Sequence, residues 1–245
     1  MSSLICGSIA YDTIMNFEGK FADQILPEQI HILNVAFLVP TMRREFGGCA
    51  GNIAYNLHLL GGDPIIMATV GGDCVPYMSH LQQLGIDATH IRQVDSAFTA
   101  QAMITTDQTN NQITAFHPGA MGESHLNQVA DVVSERSARS KGAVKFGIVA
   151  PDGRQGMWEH CHQLAQANIP FIFDPGQGLP MFNGPELLEL VEIASYLAVN
   201  DYEGEMLSKR TGLSLSKVAE RVKALIVTKG AEGADIYTQG KCISI

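Results

Sequence analysis

The feature that most limits how this chain can fold is the alternation of short apolar runs with helix-length stretches. In the second half, AVKFGIVA, IPFIFD, SYLAVN and KALIVTKG are nearly continuous apolar runs of strand length. They lack the polar-apolar alternation of a strand with one wet face, so they predict strands covered on both sides. The segments between them, about residues 155–168, 185–193 and 201–210, carry helical spacing. The first half repeats the rhythm: SLICGSIA, a helix over 49–61, the strand PIIMATVG, and the helix VPYMSHLQQLG. Parallel neighbours need a long crossover, usually a helix, so this order predicts an α/β fold with a mostly parallel sheet and helices on both faces.

Two regions break the rhythm. Residues 13–46 contain IHILNVAFLV, and residues 97–117 read TAQAMITTDQTNNQITAFH from Thr99 onward. Both look extended, and the second predicts a hairpin around Asn110 and Asn111. They group as a small β lid, which leaves 1–12, 47–96 and 118–245 as the α/β core.

The net charge of −9, with only 16 Lys and Arg, argues against a nucleic-acid or anionic-membrane surface and favours a small soluble ligand. Five scattered cysteines without a Cys-x-x-Cys pair suit free thiols in a reducing compartment. No basic leader precedes the short apolar start, and no stretch approaches the roughly 20 apolar residues of a membrane span, so a cytoplasmic location is expected.

Phe46 to Asn52 reads FGGCAGN and leads into an amphipathic helix. Glycines before a helix let backbone come close to a ligand, and the first turn offers free N–H groups. Asn52 lies in that turn and can donate and accept together, which suits adjacent sugar hydroxyls. Short glycine motifs are weak evidence alone. Here GSIAYD, at the end of the first strand, adds Ser8 and Asp12 at the carboxyl edge of the sheet, where open α/β folds take ligands. A Gly-x-x-x-x-Gly-Lys-Ser/Thr loop is absent from the sequence. His160 and His162 in EHCHQ lie about 200° apart around a helix and cannot share a metal, so that helix is expected on the surface.

GSIAYD and GGCAGN, followed by NDYE at Asn200 to Glu203 and TKGAEG at Thr228 to Gly233, resemble the ribokinase-like, or PfkB-type, carbohydrate kinases in motif and order. GSIAYDTIMNF, ILPEQIHILNVAFLV, RREFGGCAGN, ITAFHPGAM and DPGQGL further resemble bacterial adenosine kinases of the mycobacterial type. The resemblance implies a three-layer ribokinase-like fold and ATP-dependent, Mg2+-assisted phosphorylation of the adenosine 5′-hydroxyl. By position it implies that Ser8, Asp12, Gly47, Gly48 and Asn52 hold the ribose, that Phe116 faces the purine and that Gln177 lines the pocket. Asn200, Glu203, Thr228, Gly230 and Gly233 would serve the nucleotide, with Glu203 reaching the metal through water. Asp174 is a second group near the metal or a cap, and a homodimer through the lid is a further expectation.

Two departures from the family pattern bear on these expectations. Ala102 stands where a second base-stacking aromatic is expected, which leaves base specificity open. The family's Gly-rich Asp motif, which carries the catalytic base and the anion hole, is expected beyond Ile245, so no residue here is assigned as the base and a shortened chain is expected to be inactive. Alternatives are another PfkB-type sugar kinase or a non-catalytic nucleoside-binding protein.

Overall fold

A computed structural model describes residues 2–139 and 142–245. In chain order the strands are β1 (Ser2–Cys6), β2 (Ala10–Asn16), β3 (Thr41–Gly47), β4 (Asp63–Gly71), β5 (Ile91–Val94), β6 (Ala100–Thr106), β7 (Gln112–His117), β8 (Phe146–Val149), β9 (Phe171–Phe173), β10 (Tyr196–Asn200), β11 (Ala224–Thr228), β12 (Ala234–Thr238) and β13 (Lys241–Ser244). The helices are α1 (Phe21–Gln24), α2 (Cys49–Leu59), α3 (Val75–Leu84), α4 (Val129–Ala138), α5 (Arg154–Gln166), α6 (Gly184–Ile193), α7 (Asp201–Thr211) and α8 (Leu215–Ala219).

Nine strands form one sheet in the order β13-β12-β11-β10-β9-β8-β1-β4-β5, parallel from β11 to β5 and antiparallel only at β12 and β13. β1 and β4 are covered on both faces, whereas β8, β9, β10 and β11, expected to be covered on both sides, alternate buried and half-buried residues, with Ile148, Ile172, Ala198 and Ile226 only partly covered. Leu4, Cys6, Ile65 and Met67 face the layer containing α4, α5, α6 and α7, while Ile5, Ile66 and Ala68 face α2 and α3. Each fully buried Leu or Ile side chain contributes about 1.5–3 kcal/mol, so these two opposed faces supply much of the driving force for folding. The architecture is the expected ribokinase-like α/β fold with a smaller separate sheet.

The small sheet runs β3-β2-β6-β7. β6 and β7 form the predicted hairpin, with Asn110 at φ 63 in its turn. Asp107 closes that turn by accepting N–H groups from Thr109 at 2.8 Å and Asn111 at 2.9 Å, and its other oxygen reaches Phe21 N at 3.0 Å.

One expected strand is absent. IHILNVAFLV is a 3-10 turn over Pro27–Ile32 followed by irregular backbone. Ile30, Ile32, Leu33 and Leu38 stay exposed, while Phe37 packs against Phe17 and Phe21 at ring separations of 5.0 and 4.9 Å, so the segment is held by an aromatic contact and has no strand to pair with. The helix holding EHCHQ also differs from expectation. His160 and Cys161 on α5 are buried, and His160 Nε2 lies 3.2 Å from the Asn127 carbonyl. Among the described residues no helix is long and apolar enough to cross a membrane, no group of three or more His, Cys, Asp or Glu could hold a metal, and all five cysteines are free.

Candidate active site

The carboxyl ends of β1 and β8, the start of α2 and one face of the small sheet enclose a cavity of about 500 Å3, within the usual range for small-ligand sites. One row across the small sheet builds a wall. Asp12 on β2 pairs with Ala102 on β6, and Ala102 pairs with Phe116 on β7. Partners in a row share a face, so carboxylate, methyl and ring line the cavity together. The small Ala102 leaves room between the other two. Burial lifts the Asp12 carboxyl above its ordinary pKa, and Glu45, its partner on β3, adds to the shift.

The opposite wall comes from the turn into α2. Gly48 has φ 88, and an added Cβ would lie 2.6 Å from both Ala10 N and Ser8 O, so only glycine brings the turn this close to β2. Ser8 holds the start of the helix: its Oγ accepts Cys49 N–H at 3.1 Å and its carbonyl accepts Ala50 N–H at 2.9 Å. Ser8 N–H in turn donates to Pro151 O at 3.1 Å, which ties the turn to the end of β8. Asn52 lines the cavity from the first turn of α2.

Ser8, Asp12, Gly48, Asn52, Phe116 and Gln177 therefore meet around one cavity. Gly47 does not line it. It packs against the Asp12 carboxylate, where an added Cβ would lie 2.3 Å from Oδ2. A second cavity of about 280 Å3 adjoins the first, and Cys49, Pro151 and Gln177 line both. Asp174, Asn200, Glu203 and Thr228 also face this second space. Gly230 and Gly233 do not, and instead bracket the turn from β11 into β12.

NDYE forms a reciprocal cap on α7: Asn200 Oδ1 accepts Glu203 N–H at 2.8 Å, and Glu203 Oε2 accepts Asn200 N–H at 2.9 Å. The cap holds Glu203 close to Asp174. Burial first, and the Glu203 charge second, raise Asp174 to about 6. Two carboxylates facing one small cavity suit a bound cation, which would relieve both.

Asp152 escaped the sequence reading because APDG resembles an ordinary turn. It lines the first cavity at 3% exposure, with Oδ1 accepting Gly153 N–H at 2.8 Å and Oδ2 lacking any partner. Met121 and Met181, also missed, line the same cavity. Only a fold that brings the ends of β8 and β9 beside the small sheet groups these three.

The pfkB family carbohydrate kinase model matches residues 13–245. A nucleoside kinase of Methanocaldococcus jannaschii is 33% identical over 248 residues, covering 100% of this chain and 75% of that protein. The structure of Burkholderia thailandensis nucleoside kinase in complex with inosine superposes with a TM-score of 0.84 at 52% identity, covering 99% of this chain and 75% of the other. Ribokinase from Thermotoga maritima shares the fold, with a TM-score of 0.77 at 22% identity over 100% of this chain and 76% of the other. Motif order, cavity geometry and these likenesses agree: the chain belongs to the pfkB family of carbohydrate kinases.

Proposed function

We propose that this chain binds a nucleoside in the larger cavity and ATP across the smaller one, as the binding parts of a kinase that transfers the γ-phosphate to the nucleoside 5′-hydroxyl, with the base for that step not assigned among its residues. The observation that carries the reading is the division of the larger cavity between a polar end and an apolar end. Asp12, Asn52 and Ser8 offer ribose hydroxyls acceptors and donors, while Phe116 and Met121 offer a base a flat, apolar setting. A free sugar would leave the second end empty. The wall shared by the two cavities supports transfer between their occupants, since Cys49, Pro151 and Gln177 touch both spaces.

Mg2+ fits beside Asp174 and Glu203, where it would offset the charge of the two carboxylates and of a triphosphate; Glu203, already bonded to the α7 cap, would act through water. Asn200 and Thr228 would meet the nucleotide from the ends of β10 and β11. Adenosine is the substrate favoured by the sequence resemblance. Inosine is the second candidate, because the Burkholderia relative was solved with it.

Isothermal calorimetry with adenosine, inosine, uridine and ribose tests the reading. A purine nucleoside should bind best, and Asp12→Ala should weaken it by about 1–3 kcal/mol through loss of a charged hydrogen-bond acceptor. Ribose binding as tightly as every nucleoside would overturn it in favour of a sugar kinase.

A further inference from the structure

The third glycine of FGGCAGN is not explained by contact with a ligand. Gly51 lies inside α2 and does not line the nucleoside cavity, and glycine weakens a helix relative to alanine. Its neighbour supplies a reason. An added Cβ at Gly51 would lie 2.0 Å from Tyr77 Oη, so the missing side chain makes room for one hydroxyl.

That hydroxyl is well placed to matter. Tyr77 extends from α3, is 2% exposed, and donates from Oη to the Gly47 carbonyl at 2.7 Å. Its backbone N–H donates to Tyr11 Oη at 3.3 Å, and Tyr11 Oη donates onward to Asp73 O at 3.1 Å. The rings of Tyr77 and Tyr11 meet edge to face at 5.8 Å, and Phe46 meets Tyr77 in the same way at 5.2 Å. Tyr11 immediately precedes Asp12 on β2, and Phe46 and Gly47 immediately precede Gly48. One buried side chain therefore braces, from behind, both segments that face the ribose end of the cavity. The brace reaches the Asp12 carboxylate through Gly47, against which it packs.

We infer that Tyr77 is a positioning residue for nucleoside binding: its hydroxyl, accommodated by Gly51, fixes Gly47 and so sets the spacing between Asp12 and the Gly48 turn. The inference rests on the nucleoside reading of the cavity. It makes Gly51 and Tyr77 a coupled pair, since alanine at 51 pushes away the group that phenylalanine at 77 lacks.

Adenosine calorimetry on the wild type, Tyr77→Phe, Gly51→Ala and the double variant tests it. Tyr77→Phe should weaken adenosine about tenfold, the effect of one hydrogen bond, with binding stoichiometry unchanged. Gly51→Ala should weaken it at least as much. The double variant should bind better than the product of the two single losses predicts, because the 2.0 Å clash at 51 goes with the hydroxyl and leaves only the closer-than-usual 3.2 Å approach to the ring carbon Cζ. Wild-type affinity in Tyr77→Phe would overturn the inference, and that variant decides the matter if Gly51→Ala fails to fold. Losses that multiply in full would overturn the coupling. A lower stoichiometry at unchanged Kd would show a structural role only and overturn it as well. A wild-type protein that binds ribose but no nucleoside refutes the nucleoside reading itself, and the inference falls with it.

Discussion

Replacing Asp152 with asparagine should stabilise the protein at neutral and alkaline pH and do nearly nothing in acid. Asp152 is 3% exposed, accepts one hydrogen bond from Gly153 N–H, and has no partner for Oδ2. Burial raises its carboxyl from an ordinary 3.8 to about 7, against a smaller opposing pull from the Gly153 N–H. The folded state thus favours the protonated acid. Its contribution is fully retained below about pH 4 and is lost as pH rises from there through 7, because the unfolded chain ionises first. A shift of about three units at 1.36 kcal/mol each sets the loss at roughly 4 kcal/mol, and relaxation around the charge lowers this toward about 2 kcal/mol.

Asparagine keeps the shape and cannot ionise. Its amide also finds an unpartnered acceptor close by in Ser124 Oγ. Urea unfolding of both proteins at about pH 4.5, 6 and 8 reads the effect. The variant should gain about 1.5–3 kcal/mol over the wild type between the first and last pH, since the unfolded carboxyl is already mostly ionised at about pH 4.5. Groups that titrate alike in both proteins cancel in the difference: burial lowers the His160 pKa against its hydrogen bond to Asn127, which costs both proteins stability in acid, the opposite sign to Asp152, and Cys6 is raised by burial first and by the Asp152 charge second, away from this pH range. A stability difference that stays constant from about pH 4.5 to 8 would refute the reasoning.

Phe116→Ala should cost adenosine about tenfold in Kd and leave methyl β-ribofuranoside unchanged, since the ring stands beyond Ala102 from Asp12; equal losses for both ligands would make the ring a packing group. Gly48→Ala should lower stability by more than about 2 kcal/mol in urea unfolding, because φ 88 and a Cβ at 2.6 Å from two backbone atoms leave it no unstrained position; a melting temperature equal to the wild type would contradict that geometry.

The strands that were legible in the sequence are those with nearly unbroken apolar runs. β4 is buried on both faces, whereas β8, β9, β10 and β11 bury one face in the core and leave Ile148, Ile172, Ala198 and Ile226 of the other half-buried, so their apolar text overstates how fully they are covered. β5 lies at the edge, and Arg92 and Gln93 in its middle are exposed, so IRQV has no signal of its own. The opposite error occurred at IHILNVAFLV, where apolar spacing suggested a strand that tertiary pairing does not supply. Pattern reports which residues could be buried, and only neighbours decide whether they are.

The same distinction separates the parts of the site. Ser8, Asp12, Gly48 and Asn52 were legible because they fall in two local motifs at one sheet edge, where glycine and a lone polar group conflict with the surrounding apolar text. Asp152 and Tyr77 conflict with nothing around them in sequence: APDG reads as a turn, and Tyr77 reads as the buried face of a helix. What sets them apart is three-dimensional. Asp152 is a carboxyl that burial penalises at a cavity wall, and Tyr77 is a hydroxyl 2.7 Å from the carbonyl of Gly47. A buried ionisable group without a full set of partners costs stability, and so does a helical glycine where alanine would serve the helix better. Both costs fall on residues that line or brace the same cavity. A fold needs neither expense, whereas a site that must hold one ligand geometry gives a reason for each.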